Sequence, residues 1–399
     1  MVKTNGTEKL KKQYCKKNLK NMKITEKDVI PILKDLIKIK TENPPGKTID
    51  AIDYVKKIFQ KEGIDTIIQE YAEDRANIIA SYGEGNNSII LTGHLDTVPA
   101  GDETKWRFPP FAAVEHEGNI YGRGATDMKG AVAAFIAVFI ALRRSNIKMK
   151  KKIVFLGTSD EEIGMDGALA AKKEGIMEDC EFVLIGEPTE LNIGIAEKGT
   201  LWIKVRIFGK SAHGSTPHLG ISAIEGATKL IPEMQKAVPN FNHKILGRST
   251  LNIGQIAGGT LINVVPEYCE FKCDYRLVKD DLREGVKKKI NEIINEFNLK
   301  SPSKAEIEIL HEIPAIELNR ENEIIEKLKQ NTTKIGKDKI IGLNYGTDGA
   351  MLVPEFNIPF VIMGPGKLNQ LHVTDEFTEK QEVIDFANLV YNTLVEIYS

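Results

Sequence analysis

The sequence predicts an α/β fold: a mostly parallel sheet flanked by helices, with a ferredoxin-like βαββαβ domain inserted into it. Three observations carry that reading. Short β-branched runs, among them "SIILTGH", "KKIVFLGTSDEE" and "EFVLIGEPTE", alternate with helical stretches, as strands covered on both faces do. Between about residues 199 and 311 that alternation gives way to another order of strands and helices. And 399 residues suit two domains, because single cores stop growing near ~250–300 residues.

Residues 1–22 are rich in lysine and lack the apolar centre of a signal peptide. They read as a disordered extension, or as the result of taking Met1 rather than Met22 as the start, and stand outside the predicted fold. "TEKDVIPILKDLIKI" and "AIDYVKKIFQKEG" have helical periodicity and flank the double-proline turn "TENPPGKT". "ANIIASYG" and "SIILTGH" follow as strands. "AVAAFIAVFIAL", residues 131–142, is a buried helix, well short of the ~20 residues of a membrane span. In the insert, "TLWIKVRIFG" alternates like a half-buried strand and "SAIEGATKLIPEMQKAV" is helical. "STLNIGQIAGG" and "EYCEFKCDYRL" are strands, "DDLREGVKKKINEIINEF" an amphipathic helix, and "AEIEILHEI" the closing strand. The α/β pattern then resumes with "ENEIIEKLKQNTTKI" and "IPFVIMGPG". The larger domain is therefore expected to be discontinuous, 23–198 and 312–399, around an insert at 199–311.

A formal net charge of −2 gives no large field for nucleic acid or an anionic membrane, so small molecules are the expected partners. Cys15, Cys180, Cys269 and Cys273 form no CxxC pair and no disulfide framework, which points to a reducing cytoplasm. Cys269 and Cys273 would share one strand face as small hydrophobes.

In open α/β sheets ligands bind beyond the carboxyl ends of the strands. Four apolar strands here end in potential metal ligands: His94 and Asp96; Asp160, Glu161 and Glu162; Glu187; and His372 with Asp375 and Glu376 just beyond. A fifth stretch, "IYGRGATDMKGA", sets Asp127 between a glycine-rich turn and the buried helix. Each alone has an ordinary structural reading, Asp127 as a helix N-cap for instance. Five converging on one sheet edge would repel one another and raise their own pKa values unless a divalent metal neutralised them. Mixed imidazole and carboxylate donors suit Zn²⁺, Co²⁺ or Mn²⁺, and their number favours two ions over one.

Two nucleotide-like motifs fail. "GRGATD" has Asp127 where GxGxxG needs its third glycine, and "FGKS" has Lys204 where a phosphate loop needs its first glycine.

At these residues the sequence resembles the dinuclear metal amidohydrolase and peptidase family of acetylornithine deacetylase, succinyl-diaminopimelate desuccinylase, aminoacylase and glutamate carboxypeptidases. The motifs are "GHLDTVP", "WRFPPF", "YGRGATDMKG", "TSDEEIG", "GEPT", "GKSAHGSTP", "TDGA" and "GPG" followed by "LHVTDE", and the likeness spans about residues 23–399. It implies that Asp127 bridges two metals, that His94 and Glu187 complete one site, and that Glu162 and His372 complete the other. Glu161 would be the general base and Asp96 would hydrogen-bond the His94 imidazole to fix its tautomer. A cis bond after Asp127 is a further family feature. The insert would be a dimerisation or lid domain, making the protein a homodimer whose His213 stabilises the oxyanion in the partner's site. Asn263, Arg276, Gly346 and Thr347 would bind substrate. His116, His218, His243 and His311 read as surface or structural.

The implied reaction is amide hydrolysis of an N-acyl amino acid with two divalent metals, Zn²⁺ first, then Co²⁺ or Mn²⁺. Glu187 rather than Asp is the variant associated with deacylases and carboxypeptidases. Overall likeness ranks succinyl-diaminopimelate desuccinylation first, acetylornithine deacetylation second and dipeptide hydrolysis third. A non-catalytic metal or ligand-binding protein on the same fold is the alternative of another class.

Overall fold

A computed structural model of the chain describes residues 22–319 and 322–399; the expected N-terminal extension, up to residue 21, lies outside the described residues. The chain forms two compact units. One holds the described residues up to Ile195, with Leu318–Ile340 and Thr347–Ser399; the other holds Ala196–Glu317 and Ile341–Gly346.

The first unit opens with helices α1 (Glu26–Lys38) and α2 (Ile49–Lys61). Both are amphipathic: α1 buries Val29, Leu33, Leu36 and Ile37, and α2 buries Ile52, Val55 and Phe59. Strands β1 (Thr66–Ala72), β2 (Arg75–Tyr82) and β3 (Ser88–His94) follow, then helix α3 (Gly130–Ser145), strand β4 (Lys152–Thr158), helix α4 (Asp166–Lys173), and strands β5 (Cys180–Ile185) and β6 (Ile193–Glu197). The second unit contributes β7 (Gly199–Phe208), α5 (Ala223–Met234), β8 (Thr250–Gly258), β9 (Tyr268–Leu277), α6 (Asp281–Lys300) and β10 (Lys304–Ile313). The chain then returns to the first unit with α7 (Glu323–Lys334), β11 (Phe360–Ile362) and α8 (Lys380–Tyr398).

Seven strands of the nine-stranded large sheet run in the order β1-β2-β4-β3-β5-β11-β6. The middle four, β4, β3, β5 and β11, run parallel, while β1, β2 and β6 pair antiparallel at its flanks. The parallel strands are largely apolar because both their faces are covered. β1 is an edge strand whose side chains are half exposed, so "TIIQEYA" carried no buried run to announce it. The closing helix α8 was likewise absent from the sequence reading.

Helix α3 is the hub of this core. Counted from Ala125, the helical stretch to Ser145 reaches 21 residues with a mean hydropathy of 1.7, the length and composition of a membrane span, yet 94% of that window is buried inside the protein. Phe135 of α3 meets Phe386 of α8 with ring centroids 5.4 Å apart. Phe139 packs with Phe59 of α2 and Phe155 of β4 at 5.8 and 6.1 Å. Such tilted and edge-on aromatic contacts add to the burial that holds these helices and β4 together.

The second unit realises the predicted βαββαβ order. Its sheet runs β8-β9-β7-β10, entirely antiparallel, with α5 and α6 packed on it. Cys269 and Cys273 point to the same side of β9, both buried in that core. Residues 341–346 also join this unit: the Leu343 carbonyl accepts from the Lys198 amide at 3.0 Å. The sequence reading kept that stretch with the larger domain.

The parallel neighbours β5 and β11 end in Gly186 and in the "GPG" turn at Gly364. A Cβ on Gly364 would stand 2.1 Å from the Gly186 carbonyl oxygen, so only glycine lets the strand ends approach so closely just before Glu187. Gly364→Ala is expected to lower the thermal midpoint, with an overpacking cost of about 1–3 kcal/mol. Gly285→Ala on α6, where a Cβ meets nothing within 4 Å, is expected to leave it unchanged or raise it. Thermal unfolding of the two variants side by side checks the contrast.

Candidate metal centre

The four parallel strands aim their carboxyl ends at one place. His94 is the last residue of β3; Glu161 and Glu162 lie in the turn after β4; Glu187 follows β5 by two residues; His372 comes from the loop after β11. Asp127 arrives from the irregular turn before α3, and its bond to Met128 is cis, as the resemblance implied.

Asp127 sits between the two histidines. Its Oδ1 lies 3.1 Å from His94 Nε2 and its Oδ2 lies 3.2 Å from His372 Nε2. Glu187 Oε1 is 3.7 Å from His94 Nε2, and Glu162 Oε2 is 3.1 Å from His372 Nε2. Donors about 2.1 Å from one tetrahedral Zn²⁺ stand roughly 3.4 Å apart, so both half-sites have the spacing of a ligand shell. Glu161 Oε2 also comes within 3.9 Å of His94 Nε2, and His94, Glu161 and Glu187 form one compact donor group while His94, Asp127 and Glu162 form another.

The electrostatics favour cations. Burial, together with the Asp127 charge, raises the pKa values of Glu162 and Glu187, and burial with the Glu187 and Glu162 charges holds Glu161 well above the usual range. Burial alone would depress His94, but the Asp127 hydrogen bond and the Glu161 and Glu187 charges overcome it and keep the imidazole well above its ordinary value. Hydrogen bonds donated to Asp127 and Glu162 push His372 up to about 10. The surrounding acids raise both imidazoles, and a divalent metal would supply positive charge at the same place. The donor set, its spacing and its charge all fit such an ion.

A shell of buried polar groups fixes these donors. The sequence reading had the Asp96 side chain bonding the imidazole; instead His94 Nδ1 meets the Asp96 backbone carbonyl at 2.9 Å, with the carboxylate at 3.7 Å. The carbonyl fixes the tautomer and leaves Nε2 for metal, and the carboxylate is spent elsewhere. Its Oδ1 and Oδ2 accept the backbone N–H groups of Glu161 and Glu162, each at 3.3 Å. Asn43, from the double-proline turn, donates from Nδ2 to Asp96 at 2.9 Å and to Asp160 at 2.8 Å. Asp160, fully buried, also accepts from Tyr71 at 2.9 Å and Arg75 at 3.1 Å, and its backbone carbonyl accepts from Met165 at 2.6 Å. It anchors the turn, largely through its side chain. Asp348, hydrogen-bonded by Thr158 at 2.5 Å, is pushed by burial up to about 7. Asn43 and Asp348 escaped the sequence reading because neither lies at the end of an apolar strand.

The comparisons with known proteins agree with this geometry. The profile of peptidase family M20/M25/M40 matches residues 90–396. The chain belongs to that family. It is accordingly a hydrolase. A protein of Staphylococcus epidermidis (strain ATCC 12228) named "Probable succinyl-diaminopimelate desuccinylase" is 30% identical, over 94% of this chain and 98% of its own length. The fold is shared with a tripeptidase from Staphylococcus aureus Mu50, with TM-score 0.78, 24% identity, and 94% and 99% of the two chains covered. It is shared equally with the aminopeptidase PepT from Bacillus cereus ATCC 10987, at TM-score 0.77, 22% identity and the same coverage.

Other candidate residues lie in the second unit. His213 is exposed, and its Nδ1 accepts from the Ser215 backbone at 3.1 Å, which places the ring proton on Nε2. Asn263 is exposed. Arg276 is held by Asp274 at 2.9 Å and donates to Thr200 at 3.0 Å. Beside it, Lys198 is a cation the sequence reading missed; burial and the Arg276 charge lower its pKa, and Nζ donates to the Arg248 carbonyl at 3.0 Å. Gly346 ends the 341–346 stretch, and Thr347 is buried in the first unit, its Oγ1 accepting from Gly349 at 3.1 Å. His243 is structural, with Nε2 3.1 Å from Glu317. His116 and His311 pack on aromatic rings, and His218 sits in a short surface turn.

Asn43 joins two buried carboxylates through one amide. Asn43→Asp, almost the same shape, replaces both donated bonds with a third acid. It is expected to lower the thermal midpoint further than Asn43→Ala, whose own cost is about 1–3 kcal/mol for the unsatisfied carboxylates. Denaturation of the metal-free proteins checks the order.

Proposed function

We propose that the chain hydrolyses the amide bond of an N-acyl amino acid at a pair of divalent metals, with N-succinyl-diaminopimelate as substrate. The observation that carries the dinuclear reading is Asp127, one carboxylate with an imidazole facing each oxygen at 3.1 and 3.2 Å. In this reading Asp127 holds both ions, His94 and Glu187 hold one, and Glu162 and His372 hold the other. Zn²⁺ suits the donors best, and Co²⁺ or Mn²⁺ next. Bound there, such a pair lowers the pKa of a water and polarises the scissile carbonyl.

Glu161 would take a proton from the attacking water and pass it to the leaving amine. Its buried, crowded carboxylate favours the protonated form it must adopt midway. His213, with its proton on Nε2, donates to the developing oxyanion. Arg276, with Lys198 beside it, receives a substrate carboxylate together with Asn263, Gly346 and Thr347. The succinyl-diaminopimelate choice rests on overall likeness to the desuccinylase-named relative, while Glu187 favours a deacylase or carboxypeptidase over an aminopeptidase. Acetylornithine deacetylation is the second reading; peptide hydrolysis is the third, favoured by the names of the tripeptidase and aminopeptidase that share the fold.

A homodimer through the second unit is part of the proposal. β8 is an edge strand with Ile256 56% exposed, followed by Leu261 at 67% exposed, apolar surface that a second copy would cover. Buried free thiols at Cys180, Cys269 and Cys273 accord with a cytoplasmic setting.

Glu161→Gln is expected to bind metal with wild-type stoichiometry and to lose turnover by several orders of magnitude. Because Glu161 lies within ligand distance of His94, metal content is measured with rate: a lost ion would make it a ligand rather than the base. The same assays on N-succinyl-diaminopimelate, N-acetylornithine and dipeptides, with Zn²⁺ or Co²⁺ added, identify the substrate. Exhaustive chelation is expected to abolish turnover and readdition of metal to restore it.

A further inference from the structure

The motif "LHVTDE" supplies His372, and its last two acids looked like further ligands. Neither is one. Asp375 Oδ1 accepts from the Arg107 backbone at 2.6 Å. Glu376 is wholly buried and turned to the other side, into the backbone that carries Asp127. Its Oε1 accepts from the Thr126 amide at 2.8 Å and the Asp127 amide at 3.1 Å. Its Oε2 accepts from the Gly124 amide at 3.1 Å and from Arg123 Nη1 at 2.6 Å. Gly124 has φ +83°, a left-handed turn that lets successive N–H groups converge on one anion. Two more bonds join the same segments: Gly122 N–H to the Glu376 carbonyl at 2.9 Å and Thr126 Oγ1 to the Phe377 carbonyl at 2.6 Å. Arg123 is itself nearly buried, its guanidinium over the Trp106 ring at 5.2 Å, so the charge of Glu376 is matched on the spot.

The stitched segments carry the two donors that must meet. Asp127 ends one, and His372 lies four residues before Glu376 in the other; their side chains stand 3.2 Å apart. His94 and Glu187 reach Asp127 from the strands β3 and β5 and do not depend on this seam.

We propose that Glu376 is a positioning residue. By binding the Asp127 amide it sets the loop so that Oδ2 of Asp127 and the imidazole of His372 share one cation, and it thereby governs occupancy of the Glu162–His372 half-site selectively. The inference rests on the dinuclear reading above. It concerns how the chain holds an ion, and it touches neither substrate nor the reacting atoms.

Metal-stripped protein titrated with Zn²⁺ in a calorimeter tests it. Wild type is expected to take up two ions, and Glu376→Gln to keep one tight ion while the second weakens at least tenfold. The glutamine amide turns donors toward donors on one side of the nest, so at least one pair of bonds is lost. Titration with Co²⁺, read by its visible spectrum, should show one site unchanged and the other altered. Two ions bound by Glu376→Gln at wild-type affinity would overturn the proposal, as would equal weakening of both sites. Where the glutamine variant does not fold, Glu376→Asp decides the same question. It keeps the charge but falls a methylene short of the amides, and is expected to weaken only the second ion; two unchanged sites overturn the proposal. A wild type that binds fewer than two ions instead overturns the dinuclear reading, and this inference falls with it.

Discussion

Everything at this sheet edge depends on keeping Asp127, Glu161, Glu162 and Glu187 together although they repel. Two like charges 4 Å apart oppose one another by about 4 kcal/mol at the effective dielectric of a protein surface. The two imidazoles face these acids, whose charges and hydrogen bonds raise their pKa values. A site of this kind exists before its ions arrive only if folding elsewhere supplies the difference. The parallel strands do so by burying almost every side chain along their length, so the polar groups occur only where the strands end.

The clamping of the carboxylates is equally divided. One group of contacts centres on Asp96, which speaks to His94 through its backbone carbonyl and to Glu161 and Glu162 through its side chain. Asn43 ties that residue to Asp160 and so to the start of the same turn. The other group centres on Glu376 and the amides of Gly124, Thr126 and Asp127. Neither set donates an oxygen to the candidate ligand shell. Both are acids or amides placed so that the reactive acids have little freedom to separate.

Much of this was legible in the sequence, and what was not has a physical reason. The strand-end histidines and acids could be read because apolar runs announce strands and ligands gather at their carboxyl ends. The βαββαβ order of the second unit could be read because its strands alternate and its helices are amphipathic. Contacts made across hundreds of residues could not. Glu376 and Asp375 stand side by side after His372, and nothing local says that one faces the Asp127 loop and the other Arg107. The same holds for Lys198, which becomes a partner of Arg276 only when β7 and β9 pair.

The adjacent glutamates after β4 show how the backbone assigns chemistry. An extended loop would send Glu161 and Glu162 to opposite sides by simple alternation. The observed segment is a turn, entered through Asp160 at φ +64°. Asp96 holds both backbone N–H groups, and the side chains diverge from that shared anchor: Glu162 toward His372 at 3.1 Å, Glu161 toward His94 and Glu187. A positive φ at a non-glycine residue carries a steric cost of order 1 kcal/mol, which the contacts of the buried Asp160 carboxylate with Asn43, Tyr71 and Arg75 offset. Asp160, the first acid of the run, spends its carboxylate on those contacts and is not among the candidate donor groups. It sustains the backbone shape that makes two neighbouring and chemically identical residues different.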